Sequence, residues 1–248
     1  MRIELKPRQR LIAAGGALLT AAALTAVLLS ATAPDDAPRP VSAPEAQRMA
    51  LTRFRTYQAS PSAVTVRAVT PSGTTVVRAV VDHRRHRAVG VYGGAGGGPR
   101  GVLAWDLSGV AVARGEGART QGRTWVRREF AAGPLDVGLR LVLSVASDRP
   151  DNAQLLAQSG PLWLRDERIG GRSYGVFSGP RPRPQGTARP SGAPTGRSPL
   201  AYWIDTDGNL RRVTATLGQG RTVRVDVTRG RVKGGVPQGP WKQPGPSS

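Results

Sequence analysis

The sequence predicts an α+β fold: a curved antiparallel β-sheet, a half-barrel covered by helices, preceded by one transmembrane helix. Three observations carry this expectation. Residues 11–33 form a charge-free run of twenty-three residues. Beyond them the apolar period is helical over two stretches and two-residue elsewhere. The two-residue runs are divided by Gly, Pro, Asp and Asn, and strands grouped apart from helices assemble as a sheet covered on one face.

Taking the chain in order, residues 1–10 carry Arg2, Lys6, Arg8 and Arg10 against Glu4. The apolar run that follows would be about 34 Å long as a helix, enough for a hydrocarbon core of about 30 Å. The basic head belongs on the cytoplasmic side, so everything after Ala33 is expected outside, on a single-pass anchor in the cell membrane. A cleaved secretory signal is the competing reading, since Ala31-Thr32-Ala33 has the small-x-small form. Pro34 directly after the cut, and a run longer than a signal core of about 7–15 residues, favour the uncleaved anchor. Residues 34–41 are a spacer.

A helix is expected next. Ser42-x-x-Glu45 is a capping-box pattern, Pro44 lies in the first turn, and Val41 with Ala46 forms a hydrophobic staple. Ala46, Ala50, Phe54 and Tyr57 recur at helical spacing. The period then changes to two, with strands expected over 63–70, 74–82 and 88–92, a hairpin over 102–107 and 110–114, and a strand over 124–130. Leu135, Leu139, Val142, Leu143 and Ala146 share a helical face after Pro134. Residues 151–159 read as a short helix with Asp151 as N-cap and Gly160 as its stop. Five further strands follow, over 162–167, 172–178, 200–205, 209–217 and 222–228. Residues 180–199 are a Pro-rich low-complexity loop within a domain spanning 42–232, and 233–248 read as a disordered tail.

The stretches "PLDVGLRLVLSV", "DNAQLLAQSG", "RIGGRSYGVFSG" and above all "LAYWIDTDGNLRRVTATLG" resemble the LolA-like lipoprotein-carrier fold, in particular the LppX/LprG-like lipoproteins of actinobacteria. The most specific piece is Trp203-Ile204-Asp205-x-Asp207-Gly208. The resemblance covers about residues 44–228 and implies a half-barrel whose concave apolar face, lidded by helices, holds lipid or acyl chains. Two departures stand out: the family's lipid-modified cysteine is absent, and the Pro-rich insert is unusual.

Local patterns that invite sharper chemistry have plainer explanations. Gly171-x-Ser173-x-Gly175 matches a hydrolase elbow, but that motif needs a following helix and a later His, and both histidines lie earlier. His83-Arg84-Arg85-His86 pairs two imidazoles, yet a metal ion would be repelled by the arginines around them. Gly96-x-Gly98-x-x-Gly101 lacks the helix a dinucleotide site requires. Asp205-Thr206-Asp207-Gly208-Asn209 has its glycine out of place for a calcium loop and suits a hairpin turn. No catalytic residue, metal site or cofactor is expected, and the protein reads as a binding protein rather than an enzyme.

The formal net charge is +20, with the cations nearly all Arg and no Cys to form a disulfide. A field of that size attracts polyanions. The expected topology sets nucleic acid aside and points to the cytoplasmic membrane, acidic wall polymers or a membrane protein partner. The expected function is a membrane-anchored extracytoplasmic protein binding a lipid or other apolar ligand. Val64, Val66, Val77, Ala79, Val81, Val89, Trp105 and Trp203 are its candidate cavity residues. The alternative is a ligand-free interaction or regulatory domain of the cell envelope.

Overall fold

The computed structural model describes residues 37–70, 73–94, 100–115, 120–180 and 198–241. The basic head, the expected membrane helix over 11–33, the first three residues of the spacer, and most of the Pro-rich loop and of the glycine-rich segment before Gly101 lie outside the described residues. No described helix is long and apolar enough to cross a membrane. Residues Pro38–Ser248 form one compact unit, distinct from Met1–Ala37.

That unit holds a twelve-stranded, fully antiparallel sheet that is open rather than closed into a barrel. The strands are β1 Arg39–Pro40, β2 Ser62–Thr70, β3 Gly73–Asp82, β4 Arg87–Gly94, β5 Gly101–Asp106, β6 Gly109–Arg114, β7 Val126–Arg128, β8 Leu162–Ile169, β9 Arg172–Ser178, β10 Leu200–Ile204, β11 Leu210–Thr216 and β12 Thr222–Val227. Their spatial order is β1-β8-β9-β10-β11-β12-β2-β3-β4-β5-β6-β7. The last strand thus pairs with the second, joining two runs of sequential neighbours into one surface. Among the described residues three helices accompany it: α1 Ala43–Gln58, α2 Pro134–Ser144 and α3 Ala153–Gln158.

Strand parity explains how one face becomes the core. Val64, Val66 and Ala68 of β2 stand opposite Val227, Val225 and Val223 of β12 on one side. On the other side they face Ala79, Val77 and Thr75 of β3. Side chains that pair across antiparallel strands share a face, so the valines form a continuous apolar surface. Helix α2 covers it, packing on β2, β12 and β3 through Leu139, Val142 and Leu143. Gly138 lets it sit low: a Cβ there would lie 2.7 Å from Val66 Cγ1 and 2.8 Å from Val223 Cγ1. Trp105 of β5 is fully buried and donates its indole N–H to the Leu139 carbonyl at 3.0 Å, tying the far part of the sheet to the helix.

Helix α1 lies toward β10 and β11 and against α3. Its first turn is fixed as its capping pattern predicts, the Ser42 N–H donating to Glu45 Oε2 at 2.8 Å. Arg39 of β1 adds a forked pair to the same carboxylate at 2.8 and 2.9 Å. Helix α3 is capped by Asn152, whose side-chain oxygen accepts from Leu155 N, not by Asp151. Asp151 faces Arg53 of α1 instead, at 3.2 Å.

The described part of the tail departs from the disordered segment expected from residue 233. Val236 and Trp241 pack on Val89, Val102, Ala104 and Ala111, an apolar cluster on the outer face of the sheet. Trp125 and Val91 pack on the same cluster, because strands β4 to β6 are apolar on both faces and leave the outer one to be covered.

Candidate functional site

The candidate cavity residues divide between the two faces of the sheet. Val64, Val66, Val77, Ala79, Val81 and Trp105 all belong to the core under the helices. Val89 belongs to the outer cluster covered by the tail, and Trp203 packs on Tyr174 and Val176 on the outer face near β8. Those two therefore lie on the opposite side from any concave cavity. The six on the inner face are buried and line neither of the two openings described below. Val66, Val77, Val81 and Trp105 are 0 % exposed because α2 fills the space above them.

The apolar opening lies to one side of α2, where α1 and α3 stand off from β10. It has a volume of about 390 Å³ and is lined by Met49, Thr52 and Arg53 of α1, Asp151, Asn152, Leu155 and Leu156 at α3, Pro180, and Tyr202 and Ile204 of β10. Its interior is hydrocarbon from Met49, Leu155, Leu156 and Ile204 with the ring of Tyr202. Its rim is the Arg53–Asp151 ion pair. Leu155 is 64 % exposed, a large apolar side chain left at the entrance. Burial holds the Tyr202 phenol above its ordinary pKa, with Arg53 opposing that rise and Asp151 adding to it. The phenol is a neutral hydrogen-bonding group in an otherwise oily wall.

The walls are braced from behind. Arg53 donates to the carbonyls of Ser144 and Ala146 at 3.3 and 3.4 Å, and Ser147 N–H returns to the Arg53 carbonyl at 3.1 Å. Asp151 N–H donates to the Ala50 carbonyl at 3.0 Å. The segment between α2 and α3 is thereby stitched to α1, holding the mouth at a set width. A pocket of this size sits near the lower end of the range of about 300–1,000 Å³ for small-molecule sites. Its shape chemistry suits a narrow apolar body with a polar end.

These lining residues carry little signal in the sequence. Met49 was visible as a flanking residue of the first helix, and Leu155-Leu156 as a leucine pair in a short helix. Tyr202 and Ile204 follow from the parity of β10 once Trp203 is placed outward, but 200–204 is apolar at nearly every position and offers no alternation to read.

The other motifs take structural roles. Asp205 accepts from the backbone N–H groups of Asp207 and Asn209 at 3.0 and 2.8 Å and pairs with Arg229, so its carboxylate is consumed by its own turn. His83 is buried, its Nε2 3.2 Å from Ser62 Oγ. Ser173 lies within β9, between the turn glycines and the strand core. Among the described residues no three His, Asp or Glu gather as metal ligands.

No family model matches the chain, and no curated protein does. Among solved structures it is similar to LprF from Mycobacterium bovis, at 16% identity and a TM-score of 0.43, over 81% of this chain and 98% of that one. In architecture, an open antiparallel sheet with helices on its inner face, the chain resembles the LolA-like, LppX/LprG-like lipoprotein-carrier fold.

Proposed function

We propose that the chain is an extracytoplasmic binding protein that takes an acyl chain, or an apolar molecule of similar width, into the cleft between α1, α3 and β10. In this reading residues 11–33 hold it at the outer surface of the cytoplasmic membrane, and no reaction is assigned to it. The observation that carries the proposal is the cleft itself: an oily interior with an ion pair at its mouth and an exposed leucine beside it. An amphiphile would place its chain on Met49, Leu156 and Ile204 and its polar end near Arg53 and Asp151. Burying about ten methylenes at about 0.8 kcal/mol each contributes about 8 kcal/mol gross. Association costs several kcal/mol of that, which leaves a weak, exchangeable complex suited to transfer.

The test is native mass spectrometry of Pro38–Ser248, the unit that contains all twelve strands and the core, purified without detergent and followed by organic extraction. An apolar molecule is expected at fixed stoichiometry, lost in Leu155→Asp while the melting temperature stays put, since that side chain is largely outside the core. A single bare mass, unshifted by added lipids, would overturn the reading. The close packing of α2 at Gly138 favours a second one, a ligand-free partner domain, to which that outcome would point.

A further inference from the structure

A second, larger opening lies elsewhere, and it is strongly basic. It is a groove of about 1180 Å³ between the β3–β4 turn and the C-terminal segment 231–241. Arg84, Arg85, Arg87, Arg231 and Lys233 line it against a single carboxylate, Asp82. That carboxylate is already engaged. Its Oδ1 accepts from Ser60 Oγ at 3.1 Å and from the N–H groups of Arg84 and Arg85 at 3.0 and 3.3 Å, and Oδ2 meets Arg85 Nη1 at 3.3 Å.

Two of the cations lie over aromatic rings rather than carboxylates. Arg84 sits 5.5 Å from the Tyr57 ring centroid and Arg87 5.2 Å from that of Trp241. Stacking of this kind holds a guanidinium in place without neutralising it. Arg231 and Lys233 have no ion-pair partner among the described residues. The far wall is fixed by Val232 N–H donating to the Pro61 carbonyl at 2.8 Å, and by Val236 and Trp241 packing on the outer sheet face. Gly234 and Gly235, with φ of +90° and +74°, have nothing within 4 Å of where a side chain would stand. The groove is open at that wall and backbone there is reachable.

We propose that this groove binds a phosphate-bearing anion. Several guanidinium groups around one open volume match phosphate oxygens, which accept forked pairs of hydrogen bonds. Five cations face one carboxylate, so most of their charge is uncompensated by the protein and is stabilised by a ligand carrying more than one negative charge. The phosphate could belong to a lipid headgroup at the membrane surface or to a soluble phosphate ester, and one experiment separates these. The inference stands apart from the apolar cleft and does not rest on it.

The test uses Pro38–Ser248 and two probes: inorganic pyrophosphate by calorimetry, and sedimented vesicles of equal parts phosphatidylcholine and phosphatidylglycerol, with phosphatidylcholine alone as blank. Two double variants remove the same charge from different places, Arg84→Gln/Arg231→Gln in the groove and Arg168→Gln/Arg172→Gln on the exposed β8–β9 hairpin. Each groove charge near an anionic surface is expected to matter about fivefold, so the first variant should weaken binding about 25-fold and the second less than twofold. Loss on vesicles and pyrophosphate together assigns the lipid headgroup. Loss on pyrophosphate with no vesicle binding assigns a soluble ester. A groove variant that binds no more weakly than the hairpin variant, or wild-type protein that binds neither probe, overturns the proposal.

Discussion

Gly138 sets how closely α2 approaches the sheet, and two opposing effects meet there. Alanine would improve helix propensity by about 1 kcal/mol. Its Cβ would stand 2.7 and 2.8 Å from two valine methyls in a core with no slack, and overpacking costs about 1–3 kcal/mol. Gly138→Ala should therefore lower unfolding free energy by up to about 2 kcal/mol in urea titration, and a gain would show that the helix can rise off the sheet. His83 offers a second prediction. Burial lowers its pKa to about 4, with Asp82 opposing and His86 reinforcing the shift. The unfolded imidazole binds its proton first, so stability is complete above about pH 6.5 and falls by up to about 3 kcal/mol as pH drops to about 4. His83→Gln should flatten the decline measured between about pH 7 and pH 4.5. Such burial could not be read from His83-Arg84-Arg85-His86, because three arginines around it signal solvent. Parity fails in the same way at Val89 and Trp203: Ala88-Val89-Gly90-Val91-Tyr92 and Leu200-Ala201-Tyr202-Trp203-Ile204 are apolar on both faces, so nothing in them says which side faces in.

At the scale of elements, the clasp between β1 and α1 is held by one carboxylate. The forked Arg39 pair, joined by the Ser42 N–H, brings the Glu45 pKa down to about 2 against the cost of its burial. A depressed carboxylate stabilises above its unfolded pKa and loses that contribution as pH falls from about 4.5 to about 2. Arg39 is about half exposed, so screening reduces the effect. Glu45→Gln should cost about 1 kcal/mol in thermal unfolding at neutral pH and nothing near pH 2. The helix start was legible because Ser42-x-x-Glu45 encodes a local bond. Strand β1 was not, since two residues carry no period, and it exists only because β8 offers it an edge. The cap of α3 moved from Asp151 to Asn152 for a tertiary reason, the claim of Arg53 on Asp151. Arg128 and Asp136 make a like clasp at the start of α2, paired at 2.5 and 2.8 Å, where burial would raise the Asp136 pKa and the guanidinium with the Ala131 N–H lowers it on balance.

At the scale of the whole domain, the concave face of the expected half-barrel is filled along its middle by α2, and an apolar opening lies to one side of it. The eleven expected strands all occur and pair in one sheet, because alternating runs and Gly-rich turns are local signals. Where α2 would lie on that sheet was not local information. The tail illustrates the same divide: residues 233–241 are poor in apolar side chains, yet Val236 and Trp241 cover the outer cluster. Deleting residues 231–248 should uncover Val89, Val102 and Ala104, lower stability by about 2 kcal/mol and raise binding of a hydrophobic dye. An unchanged protein would mean the tail rests there without contributing. The sheet also has two margins, and each ends in a very short strand. Strand β1 has two residues, one of them a proline without an N–H, and β7 has three, two of them arginines. Beyond the two residues that β1 covers, the margin of β8 carries Arg165, Asp166, Glu167 and Arg168, so a stranger's strand would meet charge at the attempt. Twelve strands left open should thus remain dispersed when crowded, without the barrel closure that other large sheets rely on.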